Sequence, residues 1–600
     1  MGFFDRAASE IAYFTGSLRA LGRTKPIGRH LNFTIRDLAE GLAQKFGDRP
    51  ALVSDRESLT YRQWNGQANR YARWARGRGL AKGDVVALLM PNRPEYMAVW
   101  LGVAKAGGAT ALLNTNLSGN SLAHCIKVVG AKTIIVDAAM VDNLKTALPF
   151  LNTETAVFQH GAGDAFTRID TALQGFSDTD LPEAERVALT VNDPCVFIYT
   201  SGTTGLPKAA NFNHYRILLA MNGFSGAMNA KAGDRMYDCL PMYHTVGGVT
   251  ATGSVLTVGG VVFIREKFSA REFWSDIVKH QCTMFAYIGE LCRYLLHTPE
   301  GPNDRAHSIR LCVGNGLRPD IWEAFRDRFG LKTILEFYAS TEGNVSMFNF
   351  DSKPGAVGRV PKWAEKKFVF RVLKFDVEKE EPVRGPDGLC VVCADGEAGE
   401  VVGEIVIDPA RPSARFEGYA DKAATTKKIL SDVLKKGDQW FRTGDLMKRD
   451  GLGYYYFIDR IGDTFRWKGE NVSTTEVSEA ITSFPGVNDA TVYGVAVPGY
   501  EGRAGMVSLV TDDPAHFDLA GFRAHLASRL PDYARPLLVR FQSQLDVTGT
   551  FKQRKVELVA QGFDPVQNRD PLYFSDSAAG AFTRLDARLY QAITQGTMRL

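Results

Sequence analysis

Apolar positions in the first 190 residues alternate between two periods. From Tyr61 to Gly77 they recur at helical spacing, whereas Val85-Val-Ala-Leu-Leu-Met90 is an unbroken apolar run closed by Pro91. The first pattern predicts a helix and the second a strand covered on both faces. A helix over Tyr96–Ala106 and a strand over Thr133–Val136 repeat the alternation, each ended by Gly or Asp, as expected of α/β units around a parallel sheet. The alternation resumes after Thr200, and Gly385 to Ile407 reads as short strands joined by Gly and Asp turns. From Asp459 the character changes again. A strand over Ala490–Val497 and a helix over Leu519–Leu530 belong to a compact terminal unit of roughly 140 residues, within the usual size of a domain. The expected class is α/β, with a large multi-subdomain N-terminal domain over 1–459 and a small α+β C-terminal domain over 460–600.

One further periodicity stands apart. Phe4, Ile11, Phe14, Leu18 and Leu21 share one helical face, flanked by Arg6, Arg19 and Arg23. Such a face ordinarily packs on the rest of its protein; the alternative is a membrane surface.

Composition narrows the class. Six hundred residues exceed the roughly 250 to 300 that one core supports. A net charge of +4 from 71 basic and 67 acidic side chains is too balanced to imply a nucleic-acid partner. The eight cysteines are scattered apart from Cys390-Val-Val-Cys393, and one such pair without a second is a poor zinc signal, so reduced cysteines of a cytoplasmic protein are expected. The N-terminus lacks the apolar core of a secretory signal, and Arg6 stands where a myristoylation signal needs Ser or Thr. The longest apolar run, Thr250 to Ile264, falls short of the roughly 20 residues a spanning helix needs.

The densest chemical signal is Tyr199-Thr-Ser-Gly-Thr-Thr-Gly-Leu-Pro-Lys208, directly after the apolar run Cys195-Val-Phe-Ile198. Gly202 and Gly205 let backbone N–H groups turn toward an anion; Thr200, Ser201, Thr203 and Thr204 offer hydroxyls; Lys208 supplies charge. This is a polyphosphate loop by composition, but its G-x-x-G-x-x-K spacing differs from the common G-x-x-x-x-G-K-[ST] loop. A serine hydrolase is disfavoured, because Gly223-Phe-Ser225-Gly-Ala227 fails the G-x-S-x-G pattern at its last position. No H-E-x-x-H occurs.

At this decamer the chain resembles the adenylate-forming, AMP-binding superfamily. Leu240-Pro-Met-Tyr-His244, Phe337-Tyr-Ala-Ser-Thr-Glu-Gly343, Phe441-Arg-Thr-Gly-Asp445, Asp459-Arg460, Trp467-Lys-Gly-Glu-Asn471 and Thr548-Gly-Thr-Phe-Lys552 match its ordered motifs. The wording of Leu112–Leu117, Thr464–Thr475 and Thr548–Gln553 looks like the fatty acid transport protein and very-long-chain acyl-CoA synthetase branch.

The resemblance implies a reaction and roles. A fatty acid and MgATP would form an acyl-adenylate and pyrophosphate, and coenzyme A would then take the acyl group and release AMP. Lys552 would bridge the carboxylate and α-phosphate, Thr341 would contact phosphate, and Glu342 with Thr204 would hold Mg²⁺. Tyr338 would stack on adenine beside the Gly314-Asn315-Gly316 turn, Asp445 would accept from the ribose hydroxyls near Arg460, and His244 would gate the acyl pocket. Gly462 would be the hinge of a mobile C-terminal domain, with Trp467 and Gly469 lining the pantetheine tunnel. The expected partners are fatty acid, ATP and CoA, with a peripheral membrane contact at the inner face and a dimer both compatible. The rivals are loading of an acyl carrier protein, activation of a bile acid or other carboxylate, and a non-catalytic fatty-acid transport protein.

Overall fold

The computed structural model describes every residue except 1–2, 201–205, 407–414, 501, 548–552 and 599, together with the side chain of Phe3. Six of the sequence-derived site residues, Ser201, Gly202, Thr203, Thr204, Gly205 and Lys552, lie outside the described residues.

The fold is mixed α/β, as the alternating periods predict, and the chain divides into two compact units. Unit 1 comprises residues 1–369, 403–430 and 439–441; unit 2 comprises 370–402, 431–438 and 442–600. Unit 1 is built on two sheets. In one, the strands run in the order 167–168, 156–160, 133–137, 85–89, 109–112, 194–200, 208–213, all parallel except the last pair. In the other, six parallel strands (334–339, 311–315, 284–288, 235–238, 261–264, 50–53) carry an antiparallel strand at either edge, 346–349 and 58–60. Parallel strands need crossover helices, which explains why both sheets are covered and their central strands mostly apolar.

The helix Tyr61–Gly77 begins at a capping box, with the Thr60 side chain accepting from Gln63 N–H and the Gln63 side chain returning the bond. Helix Pro94–Lys105 is buried along its whole length. Its one basic residue, Lys105, donates to Asn65 (2.7 Å), Asn69 (2.6 Å) and Glu40 (3.2 Å), and burial lowers its pKa to about 8. The Thr250–Ile264 run is divided between the end of a π-helical turn, Val246–Ala251, a short helix and the strand Val261–Ile264. Among the described residues no helix is long and apolar enough to cross a membrane.

The N-terminal helix Phe3–Thr24 docks on helix His214–Ala227, but with the face opposite to the expected one. A Cβ on Gly226 would stand 2.6 Å from Arg19 O, and one on Gly16 2.4 Å from the Phe350 ring. Arg19 and Arg23 donate to Gly226 O (3.3 Å) and Ala230 O (2.9 Å). Tyr13 packs edge-on against Phe350 and Trp363. Small residues allow the close approach, so the polar face is inside. The apolar stripe is left outside: Phe4 is 86% exposed, Ile11 64%, Phe14 56%, Leu18 60% and Leu21 64%.

Unit 2 holds most of a sheet of strands 454–460, 439–449, 398–404, 370–376 and 381–382, and a five-stranded sheet in the order 489–495, 504–510, 538–541, 572–576, 581–584. Helices Thr474–Thr482 and Leu519–Arg529 contribute Val477, Ile481, Phe522 and Leu526 to the core of the latter. All eight cysteines are free, Cys390 and Cys393 included.

Candidate functional site

In unit 1 the chemistry-bearing segments converge at the ends of parallel strands. Strand 194–200 delivers Thr200, and the antiparallel strand 208–213 opens on Lys208, the two being cross-strand partners. The segment around Tyr419 joins the same strand through an Ala210–Tyr419 bridge and an Ala420 N–H to Ala209 O bond of 2.9 Å. This brings the Lys208 ammonium 5.7 Å from the centre of the Tyr419 ring, within cation–π range.

Strand 334–339 carries Tyr338 and runs into Ser340-Thr341-Glu342-Gly343. The Tyr419 hydroxyl donates to Glu342 Oε1 at 2.6 Å. Burial and then the charge of Glu342 raise the pKa of that phenol, while the Thr200 hydroxyl acts in the opposite sense. Arg216 lies beneath the Ser340–Gly343 loop, with its Nη2 and Nη1 donating to Thr341 O (2.5 Å) and Glu342 O (3.1 Å). Burial lowers its pKa. Gly343 is required by contact, because a Cβ there would meet Ser340 Oγ at 2.1 Å and the Phe441 ring at 2.2 Å.

His244 sits half-buried on the turn before the π-helical stretch, its ring 4.6 Å from that of Tyr243. Thr245 Oγ1 reaches Thr341 Oγ1 at 3.5 Å, so the His244 turn and the Thr341–Glu342 loop are neighbours. Gly314 and Asn315 end strand 311–315, and Gly316 follows it. Gly316 has φ +82°, in the left-handed region.

In unit 2, Asp445 and Arg460 are cross-strand partners, with Arg460 Nε 3.7 Å from Asp445 Oδ1. Thr443 Oγ1 accepts from Asp445 N–H (3.1 Å) and donates to Val401 O (2.7 Å). Glu400, fully buried, takes the Arg442 guanidinium on both oxygens and the Gly444 N–H. The turn after Arg460 has Gly462 at φ +92°, with open space where a Cβ would be. Lys468 (φ +51°) and Gly469 (φ +83°) form the two-residue turn of the hairpin 465–472, as a type I′ turn demands. Trp467 is 2% exposed, packed against Tyr500 at 5.6 Å. Here the indole is a core residue that supports the turn, and Gly469 is the part of the hairpin on the surface.

The AMP-binding enzyme model matches residues 40–408, and the AMP-binding enzyme C-terminal domain matches 476–552. Long-chain fatty acid transport protein 2 of Rattus norvegicus is 41% identical over 601 residues, spanning 98% of this chain and 94% of the rat protein. The chain belongs to the AMP-binding enzyme family, in its fatty acid transport protein branch. ATP-bound MatB from Rhodopseudomonas palustris superposes with a TM-score of 0.72 at 25% identity, covering 88% of this chain and 99% of MatB. The Mycobacterium tuberculosis fatty acyl CoA synthetase gives 0.61 at 25% identity, with 88% and 98% covered.

Membership of the AMP-binding enzymes gives the motif residues their context, but three neighbours of the motifs escaped the sequence reading. Tyr419 sits in Phe416-Glu-Gly-Tyr419, far from any quoted motif. Arg216 has one oddity that could have flagged it: it is a cation in the first turn of helix His214–Ala227, where the helix dipole opposes it. Glu336 precedes Tyr338 by two residues and reads as an ordinary strand acid until its burial is seen.

Proposed function

We propose that this chain is an AMP-forming fatty acid–CoA ligase for long or very long chains. The observation that carries the proposal is the cluster of Lys208, Tyr419, Glu342 and Arg216 at the strand ends of unit 1. A carboxylate is a poor electrophile: its charge repels nucleophiles and it has no leaving group. Attack of its oxygen on the α-phosphorus of ATP forms a mixed anhydride and expels pyrophosphate. The CoA thiolate then attacks the carbonyl carbon, and AMP leaves with the C–O bond electrons. Both steps build charge that preorganised cations and N–H donors must meet.

Lys208 would supply positive charge beside the phosphates, and Arg216 holds the Thr341 and Glu342 carbonyls. The donor set suits an oxygen-liganded Mg²⁺ arriving with the phosphates, with Glu342 and Thr204 as protein ligands. Among the described residues no cluster of three His, Cys, Asp or Glu forms a dedicated metal cage, which fits that reading. Asp445 and Arg460 would hold the ribose, Lys552 would bridge carboxylate and α-phosphate, and His244 would gate the acyl channel.

Long-chain specificity is supported by the names of the relatives rather than by a measured pocket, and retention of acyl-CoA would draw fatty acid into the cell by trapping. The exposed stripe of the N-terminal helix favours a peripheral seat on a membrane, the source of such substrates. Trp363 is bonded to Glu10 of that helix, and the exposed Lys366 and Lys367 follow Trp363 closely in the chain, a basic and aromatic composition suited to an anionic lipid surface.

The test is product analysis with purified protein, MgATP and acids from medium to very long chain, bile acids and aryl acids, offering CoA or acyl carrier protein. AMP with long-chain acyl-CoA is the expected outcome. Acylated carrier protein in its place, or silence in ATP–pyrophosphate exchange with every acid, overturns it.

A further inference from the structure

Glu336 is 1% exposed at the heart of unit 1 and belongs to none of the motifs. It pairs with Gly314 across the parallel strands 311–315 and 334–339. Its Oε1 accepts from Gly316 N–H and, at 3.1 Å, from Leu317 N–H; its Oε2 accepts from the Tyr287 hydroxyl. Tyr287 is fully buried on the next strand, opposite Gly314. One side chain therefore gathers the two N–H groups that close the 314–317 turn, and a second holds it from behind.

The backbone leaves this turn no latitude. A Cβ on Gly289 would fall 1.6 Å from Gly316 O, and one on Gly314 2.3 Å from Tyr287 O. The turn is pressed against the 287–289 segment and drawn down by a carboxylate. Side chains two apart on a strand share a face, so Glu336 and Tyr338 lie on the same side, with Tyr338 one step nearer the open strand ends. The turn that Glu336 fixes and the ring proposed to stack on the base are thereby set at a defined separation.

We infer that Glu336, braced by Tyr287, is a positioning residue for the purine end of the nucleotide: it touches no substrate but fixes the Gly314–Leu317 turn opposite Tyr338. The inference rests on the adenylating reading above. A neutral amide at 336 keeps an acceptor for both N–H groups and a donor for the Tyr287 oxygen, whereas leucine keeps neither.

The test uses the full-length protein. AMP binding is measured by calorimetry, and the KM for ATP and for fatty acid separately in pyrophosphate exchange, for Glu336→Gln, Glu336→Leu and Tyr287→Phe. Glu336→Gln is expected within about threefold of the parent. Glu336→Leu should weaken AMP binding and raise the KM for ATP about tenfold, as for one lost hydrogen bond of about 1.4 kcal/mol, with the KM for the acid unchanged. Tyr287→Phe should fall between the two and carries the test alone if the leucine variant does not fold. Unchanged AMP affinity in Tyr287→Phe and in any folded leucine variant overturns the role of Glu336, as does an equal rise in both KM values. A parent protein that neither binds AMP nor exchanges pyrophosphate refutes the adenylating reading itself, a separate outcome.

Discussion

The Tyr419 hydroxyl donates a 2.6 Å hydrogen bond to Glu342 Oε1. One carboxylate oxygen is thereby occupied and oriented. Tyr419→Phe removes only this donor, and hydrogen bonds to charged groups are worth about 1.5 to 3 kcal/mol. Pyrophosphate exchange is expected to slow by about tenfold or more and to need more Mg²⁺, with the KM for fatty acid unmoved. A Mg²⁺ titration matching the parent's would show that Tyr419 does not orient the metal ligand.

On the proposed reading, Lys552 and Gly462 would divide the two half-reactions between them. Lys552→Ala is expected to abolish acyl-adenylate formation from free acid and ATP while leaving acyl-CoA formation from presynthesised adenylate. Gly462→Pro should spare the first and hinder the second, because proline holds φ near −65° where the observed φ is +92°. Gly462→Ala is the control: its Cβ meets nothing, so any effect is backbone strain of about 1 kcal/mol. Failure of folded Lys552→Ala in both assays, or success of Gly462→Pro in both, refutes the division.

The N-terminal stripe can be probed without touching the face that packs. Burying a leucine or isoleucine side chain contributes about 1.5 to 3 kcal/mol. The pair Ile11→Ser and Leu18→Ser should therefore cut co-sedimentation with anionic vesicles by about tenfold or more, while turnover of a soluble medium-chain acid stays near the parent value. Equal sedimentation of parent and variant would assign the stripe to something other than lipid.

His214 is buried, and neither ring nitrogen has a hydrogen-bond partner. Desolvation lowers its pKa from 6.5 to about 4 against a smaller opposing pull from Asp193, with Arg36, Asp37 and Lys82 also nearby. The unfolded chain takes up this proton below about 6.5 and the folded chain only near 4. Its contribution is thus fully present above 6.5 and lost as pH falls. The parent should lose about 2 kcal/mol more than His214→Leu between pH 8 and pH 5, read as a difference in denaturant midpoints. Parallel losses in the two proteins would contradict this.

Legibility followed the range of the interactions. Helix Tyr61–Gly77 has the bounds its period gives, because Thr60 and Gln63 cap it locally, and the 85–89 and 133–137 strands lie where their apolar runs stand. Local motifs likewise marked Lys208, Thr341, Glu342 and Asp445. Arg216 and Glu336 were illegible because they act on backbone carbonyl and N–H groups up to 126 residues away, and backbone atoms leave no residue signature. The N-terminal helix was half legible: its period could be read, but the side that docks depends on Gly16 and Gly226 meeting Phe350 and Arg19.

The route of the chain through the two units limits how the protein can be cut. It passes between them at 369/370, 402/403, 430/431, 438/439 and 441/442. No single scission, by protease or by gene truncation, separates the two units. A fragment ending at 459 carries all of unit 1 but a torn piece of unit 2, and its complement lacks the strands that present Asp445 and Arg460. The two units are therefore inherited, expressed and degraded together.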